Sequence, residues 1–460
     1  MDLIAALKEA VGENFVREGD AIPHRNWADM AEMSPVRPAA LVLPASTAEV
    51  SAVLSLCSRA GQKIVVQGGM TGLAGGAHPQ AGEIAVSLER LQGIEEIDVA
   101  GRTMIACAGT PLYKVQEAAK EAGLHYGVDL GARGTCTIGG NVATNAGGVQ
   151  ALRYGVTRRN VLGLEVVLAD GTVLDGLNKL MKNNTGYDWP QLMIGSEGTL
   201  GVITRVSLAL SPALPAYQSA LCAAASADDA VVALGELDRL FPGRLVTFEG
   251  MWREYMDVTA SMGKTREPFA ERAEITLLIE AALGDDEAAQ DQFAEALAGL
   301  LERGLISDAL IAQSLQDRQR FWDYREANYE FDSVMPGAIH LDVSLPTAKM
   351  DEAIDHMRRE TEAHAPGRIF IAYGHMADSN LHLSLFPSKT GEDLYPAAEA
   401  LYEAVGRFHG SVSAEHGIGV LKRPYLSRSR KPEEIALMKG FKRMLDPAGI
   451  LNPGRIFAAE

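Results

Sequence analysis

The sequence predicts an α+β protein built in two parts, and three observations carry that expectation. Residues 35–211 are glycine-rich and mix short apolar strands with a capped helix and two hairpins. Residues 212–410 alternate longer strands with amphipathic helices, and Pro212 and Pro215 stand where one texture gives way to the other. The connections in the second stretch do not fix a parallel sheet, so an antiparallel sheet with helices on one face fits best. At about 100–200 residues per domain, 460 residues leave room for two to four domains. The division expected is a lead-in over 1–34, a glycine-loop domain over 35–211, a cap domain over 212–410, and a C-terminal helical segment over 411–460.

The elements follow in order. The opening MDLIAALKEAVGENF reads as an amphipathic helix; Asp2, Glu9 and Glu13 and the lack of a basic leader and cleavage site argue against a signal peptide. Residues 39–44 form an apolar strand. Ser46-Thr47-Ala48-Glu49 then makes a capping box, opening a helix that runs to Ala60 and stops at Gly61. A buried strand occupies 63–66. Strands 94–99 and 103–108 flank the turn Ala100-Gly101-Arg102, and strands 164–168 and 172–174 flank Asp170-Gly171, a strong hairpin signal. Beyond Pro215 the pattern gives strand 219–224, helix 227–241, strands 245–250 and 274–281, and helices 286–303 and 314–331. Strand 339–345, helix 347–363, strands 368–373 and 381–386, and helix 391–408 come next. A last helix, 432–445, ends before Asp446-Pro447.

Composition removes several function classes. The formal charge is −18, which argues against a binder of nucleic-acid backbones, since those need a basic surface. The four cysteines, Cys57, Cys107, Cys136 and Cys222, form no C-x-x-C pair and are too sparse for a disulfide scaffold. No run of 18 apolar residues suggests a membrane span. A cytoplasmic protein is the expectation.

Three glycine loops carry the first chemical signal. They are residues 67–76 (QGGMTGLAGG), residues 131–148, which include TIGGNVATNAGG, and residues 195–201 (GSEGTLG). Glycine permits positive φ and lets backbone N–H groups approach a ligand, and successive N–H groups form an anion nest. One such loop is as well read as a tight turn. Three within about 140 residues favour a pyrophosphate-bearing cofactor held largely by backbone. None reads G-x-G-x-x-G into a helix with an acidic partner about 20 residues on, so a Rossmann dinucleotide site is not supported. No G-x-x-x-x-G-K-[ST] loop is present either.

The stretches RPAALVLPASTAEV, VVQGGMTGLAGG, TIGGNVATNAGG and IGSEGTLGVIT resemble the FAD-binding domain of the vanillyl-alcohol oxidase/p-cresol methylhydroxylase flavoprotein superfamily, in matching order. The resemblance implies a two-part FAD-binding domain of vanillyl-alcohol-oxidase type. The residues it assigns to FAD are Gln67, Gly68, Gly69, Met70, Thr71 and Gly72 in the first loop. In the second they are Gly134, Thr135, Gly139, Gly140, Asn141, Thr144, Asn145, Gly147 and Gly148. Glu197, Gly198, Gly201, Val202, Ile203 and, in the tail LNPGRIF, Asn452 complete the set. Some members attach FAD through a His in the first loop. Met70 stands at the comparable position, which implies non-covalent FAD.

Seven of the ten histidines lie at or after residue 340. His356 and His364 fall in a charged helix and read as surface residues. His375 and His382 flank Met376-Ala377-Asp378-Ser379-Asn380-Leu381, a segment that should turn. In a hairpin both rings come near its closed end. Glu415-His416-Gly417-Ile418-Gly419 adds a carboxylate and a third ring beside two glycines. Two His and one Glu suit an open zinc site; a buried, hydrogen-bonded His–Glu pair is the plainer alternative.

YGHMADSNLHLSLF and SAEHGIGVLKRPYL resemble the C-terminal domain of FAD-dependent D-2-hydroxyacid dehydrogenases, the group of D-2-hydroxyglutarate dehydrogenase, cytochrome-type D-lactate dehydrogenase and the glycolate oxidase flavoprotein. The resemblance covers about residues 35–457. It implies a divalent metal, usually zinc, on His375, His382 and Glu415, and His416 as active-site base. It implies also that Arg325, in RFWDYREANYEF, clamps the substrate carboxylate, to which a planar guanidinium is suited. Tyr329, His340, Ser384 and Asn380 stand at positions expected to touch substrate. Three depart from the D-2-hydroxyglutarate branch, which has Thr, Lys and Asn where this chain has Tyr329, His340 and Ser384. Losing that ammonium weakens the case for a dicarboxylate, and Tyr329 resembles the D-lactate branch.

The reaction implied is oxidation of a small D-2-hydroxy acid to the 2-oxo acid with reduction of FAD. The sequence does not name the electron acceptor, for which an electron-transfer flavoprotein, a quinone, a cytochrome or oxygen are the candidates. Dimers are common in the family, so a homodimer is one assembly the resemblance allows. A sugar-alcohol or lactone flavoenzyme would use the same FAD loops without the His375/His382/Glu415 set. A non-catalytic electron-transfer subunit would bind flavin that no hydroxy acid reduces.

Overall fold

The computed structural model describes residues 2–31, 33–389 and 391–459. The chain divides into two compact units: Met1–Gly148, Tyr154–Ala213 and Glu415–Glu460 make the first, and Val149–Arg153 with Leu214–Ala414 the second.

The first unit holds two main sheets. One has the strand order Val16–Glu18, Ala40–Val42, Ile84–Ser87, Ile64–Gln67; the first pair is antiparallel and the other two are parallel. Its inner strands Ala40–Val42 and Ile84–Ser87 are buried throughout, as the unbroken apolar runs of parallel strands require. The helix Thr47–Ala60 starts and stops as its caps dictate. Ser46 Oγ accepts the Glu49 N–H at 3.2 Å, and Gly61 takes φ 62° at the C-terminus. Glu49 reaches one residue beyond the usual box, accepting the Ala45 N–H at 2.8 Å. Val50, Val53, Leu54 and Cys57 form its buried stripe.

The second sheet is antiparallel, in the order Ile94–Asp98, Thr103–Cys107, Val202–Ala209, Val161–Val167, Val173–Asp175. Both expected hairpins are present, one at each edge, joined by the central strand Val202–Ala209. At the Asp170-Gly171 turn Gly171 has φ 91° and Asp170 Oδ1 accepts the Thr172 N–H at 2.8 Å. A helix over Leu112–Glu121, not expected from the sequence, also belongs to this unit. The C-terminal segment completes it: Leu451 bridges Ile64 in parallel, and the Ile64 N–H donates to Ile450 O at 2.9 Å.

The second unit is organised on a seven-stranded antiparallel sheet. Its order is Asp308–Ile311, Gln218–Ala224, Ile275–Ala281, Leu245–Trp252, Ile369–His375, Asn380–Phe386, Ile339–Ser344. Met251, Tyr255, Phe321, Phe331, Ile371, Tyr373 and Phe386 make one apolar cluster, to which the helices Arg253–Ser261 and Leu315–Glu326 contribute. Three features differ from expectation. The helix Arg253–Ser261 starts directly from a strand end with no side-chain cap, so no start signal marked it. The edge strand Asp308–Ile311, four residues long, was not expected from the sequence. The single helix expected over 314–331 ends at Glu326, continues as a 3-10 turn Ala327–Glu330 and restarts as Phe331–Val334. Among the described residues no helix is long and apolar enough to cross a membrane.

Candidate active site

In the first unit the glycine loops stack backbone on backbone. A Cβ added at Gly69 would lie 2.1 Å from Thr135 O, and one at Gly68 would lie 2.7 Å from Thr137 Oγ1. The first loop therefore has no room for a side chain where it meets the second. Among the described residues nothing accepts a hydrogen bond from the backbone N–H groups of residues 68–76. Met70 sits at φ 59°, turning the loop sharply. A row of undonated N–H groups on a close-packed glycine loop fits the pyrophosphate of FAD.

Several residues expected at the cofactor have their side chains engaged by the protein. Gln67 donates to Asn26 O at 3.0 Å and accepts from Asn26 Nδ2 at 2.9 Å. Asn452 Oδ1 accepts the Val66 N–H at 2.8 Å, and its Nδ2 donates to Glu197 O at 2.7 Å, under a Gly198 that has no room for a Cβ. Thr144 Oγ1 donates to Gly140 O at 3.1 Å, and Asn145, at φ 53°, accepts the Arg158 N–H at 2.9 Å. Gly139 packs on Ala108 and Gly201 on Val166, each within 2.5 Å of a virtual Cβ. Val202 and Ile203 are buried strand residues. Asn141 is buried, whereas Gly134 and Thr135 are exposed.

The same loops hold the Glu415-His416 segment. The Gly148 N–H donates to Glu415 Oε1 at 2.7 Å, and a Cβ at Gly147 would fall 2.3 Å from that oxygen. Glu197, buried, accepts the Ile418 and Gly419 N–H groups at 2.7 Å each, and burial pushes its carboxyl pKa up. The Val420 N–H donates to Ala74 O in the first loop at 2.8 Å. His416 thus rides on a turn fastened at both ends to glycine-loop residues.

In the second unit the sheet register does the positioning. Glu249 is paired directly with His375, and His382 with both Tyr373 and Asp342. Directly opposed residues point to the same face, and His375 lies two residues beyond Tyr373 on its strand, so Glu249, His375, His382 and Asp342 share one face across four adjacent strands. The strands extend further than expected, to His375 and from Asn380, so both rings are strand residues flanking a tight turn with Ser379 at φ 70°. The rings lie 5.4 Å apart at 82°.

Glu249 is 1% exposed. Its Oε1 meets His375 Nδ1 at 2.5 Å and its Oε2 accepts from Arg325 Nε at 2.7 Å. Burial pushes its carboxyl pKa up, but the charges of His375 and Arg325 outweigh it and hold the value at about 2. Arg325 is 6% exposed, with Nη1 3.3 Å from Asn328 Oδ1 and its guanidinium carbon 4.9 Å from the Tyr373 ring centre. Burial works against its charge, yet Glu249 raises its pKa above the ordinary value. With Nε engaged, a substrate carboxylate would have to use the Nη1–Nη2 edge. Asp342 Oδ1 stands 4.0 Å from His382 Nδ1, and its Oδ2 accepts the Ala414 N–H at 3.1 Å.

The structure brings His340 and Ser384 together, with Nδ1 2.8 Å from Oγ. Asn380 is buried with neither amide atom hydrogen-bonded to protein. Tyr329, in the 3-10 turn, is 68% exposed. Glu249 and Asp342 were missed by sequence reasoning. The available signal was a charged residue inside an apolar strand, LVTFEGMW or IHLDVS, since buried carboxylates are rare unless paired.

Comparison with known proteins agrees with this architecture. Residues 38–176 match the family model of an FAD binding domain, and residues 215–456 that of FAD linked oxidases, C-terminal domain. The chain is 39% identical to a D-2-hydroxyglutarate dehydrogenase of Xanthomonas citri pv. viticola, over 99% of this chain and 96% of that one. It is 35% identical to the mitochondrial D-2-hydroxyglutarate dehydrogenase of Arabidopsis thaliana, over 98% and 81%. Substrate-bound p-cresol methylhydroxylase, at 16% identity, superposes with a TM-score of 0.78 over 99% of this chain and 96% of that one, which shows the shared fold. The chain belongs to the FAD-linked oxidase family of the vanillyl-alcohol oxidase/p-cresol methylhydroxylase fold. Within it the chain groups with the D-2-hydroxyglutarate dehydrogenases and is an FAD-dependent dehydrogenase acting on a CH–OH donor.

Proposed function

We propose that the chain oxidises a D-2-hydroxy acid to the 2-oxo acid, with D-2-hydroxyglutarate or D-malate as first candidates and the D-lactate class as second. The observation that carries this reading is the sheet face of the second unit. There a buried guanidinium and two imidazoles share one carboxylate-braced row, the groups needed for a carboxylate beside an oxidisable hydroxyl. The names of the relatives favour the dicarboxylate. Tyr329, His340 and Ser384 favour a smaller or less polar side chain.

Arg325 would hold the C1 carboxylate through its Nη edge. Asn380, buried with an uncommitted amide, would hydrogen-bond the acid. His375, His382 and Glu415 suit a divalent metal, zinc first, as two imidazoles and a carboxylate are a known open-site donor set. Glu415 follows Ala414, whose N–H is fixed by Asp342. When bound, the metal supplies Lewis acidity that lowers the pKa of the 2-hydroxyl. His416 would take the hydroxyl proton as the C–H electron pair leaves C2. FAD, held non-covalently because Met70 offers no attachment atom, supplies the two-electron acceptor. Re-oxidation would fall to an electron-transfer flavoprotein, a quinone or a cytochrome, and a homodimer is the proposed assembly. Four buried free thiols suit a reducing compartment such as the cytoplasm.

The test is the visible spectrum of zinc-loaded holoenzyme under anaerobic conditions with each of D-2-hydroxyglutarate, D-malate, D-lactate, D-mandelate and glycolate. Bleaching of the flavin by a D-acid and not its L-enantiomer is expected. A flavin that none of them bleaches would overturn the reading.

A further inference from the structure

We infer that Glu249 is a positioning residue that fixes two working side chains at once, the guanidinium of Arg325 and the imidazole of His375. The inference deepens the reading above and, for its metal arm, rests on it.

Each carboxylate oxygen serves one partner: Oε1 faces His375 Nδ1 at 2.5 Å and Oε2 accepts Arg325 Nε at 2.7 Å. The backbone register places Glu249 opposite His375, so the sheet sets the first contact. The second reaches across to the helix Leu315–Glu326, whose Arg325 is itself fixed at its carbonyl by Tyr255 Oη at 2.8 Å. A buried carboxylate is costly unless paired, and one guanidinium and one imidazole N–H answer that cost. For His375 the consequence is a tautomer. A proton on Nδ1, donated to Glu249, makes Nε2 the ligating nitrogen and raises its basicity. For Arg325 the consequence is an orientation, with one edge of the fork held and the other presented.

Asp342 stands behind His382 in the same relation, but 4.0 Å away and with its other oxygen on the Ala414 N–H. Its contacts here are an imidazole, held loosely, and a backbone N–H. The two carboxylates therefore differ in a way that can be measured.

The experiment uses full-length, FAD-loaded protein carrying Glu249→Gln or Asp342→Asn. In Glu249→Gln the amide nitrogen that faces His375 is a donor, which forces Nδ1 to accept and puts the ring proton on Nε2, the wrong tautomer for ligation. Zinc affinity is read by competition with a chromophoric chelator, and KM for the D-acid that bleaches the flavin is read at saturating zinc. Glu249→Gln is expected to weaken zinc about 10–100-fold and to raise KM, with the flavin spectrum unchanged. Asp342→Asn should weaken zinc without raising KM. Wild-type zinc affinity and KM in folded Glu249→Gln would overturn the inference. If the wild type itself binds no divalent metal, the metal reading fails; KM then decides the Arg325 arm alone, and an unchanged KM overturns it. Should Glu249→Gln not fold, 15N spectra of histidine-labelled, zinc-loaded wild type decide, with His375→Gln for assignment. Ligation through Nε2 with a proton on Nδ1 is expected, and ligation through Nδ1 overturns the inference.

Discussion

At Gly68, Gly69, Gly139 and Gly201 in the glycine loops of the first unit a hydrogen atom is the largest side chain that fits, and what the first loop offers a ligand is backbone N–H. On the sheet face of the second unit the working groups are long, charged and buried, and each is held by another side chain. A backbone site tolerates almost no added atoms but contributes little specific acid–base chemistry. A side-chain site is chemically rich, but each of its groups depends on a partner that the local sequence does not reveal.

The largest expected effect lies on the side-chain half. His375→Ala should lose the metal and take activity to background while FAD stays bound, checked by metal analysis beside the flavin spectrum. Loss of flavin together with metal would erase the contrast between the units. Next comes the one side chain of the backbone half assigned to proton transfer. His416→Ala should slow flavin reduction in stopped-flow by ~10²–10⁴-fold, and a near-native rate constant would remove His416 from the role. Gly69→Ala tests the loops themselves. With a Cβ 2.1 Å from a carbonyl oxygen it should destabilise the protein by ~1–3 kcal/mol in denaturant unfolding and lower flavin content. The smallest effect has the opposite sign. Gly235 lies exposed in the second unit's helix Ala227–Leu240 with nothing within 4 Å of a virtual Cβ. Gly235→Ala should stabilise by ~0.5–1 kcal/mol, and destabilisation would mean that glycine is needed there too.

The two halves were unequally legible. Thr47–Ala60 could be read to its ends because its caps are local, and both hairpins of the first unit were announced by their turns. The glycine loops were found for the same reason. What the sequence could not separate is a loop residue that meets a ligand from one that ties the loop down; Gln67 and Asn452 prove to have their amides on protein atoms. His375 and His382 were visible as a pair because they are neighbours in the chain. Glu249 was not, because it meets His375 across a strand pairing between distant segments, and a register of that kind leaves no trace in either segment alone. The helix Arg253–Ser261 was missed because tertiary packing of Tyr255 and Val258, not a cap, maintains it.

The bridge between Ile64 and Leu451 has a consequence for biosynthesis. The strand Ile64–Gln67 takes hydrogen bonds from and gives them to residues 450–452, and Asn452 fastens it to the third loop. On the ribosome, domains usually mature from the N-terminus onward. Here the order reverses. Residues 214–414 are contiguous and can assemble their sheet as they emerge, whereas the earlier-made half must wait, its apolar strands exposed, until nearly the whole chain has been translated. That waiting half is where nascent-chain chaperones should be found bound.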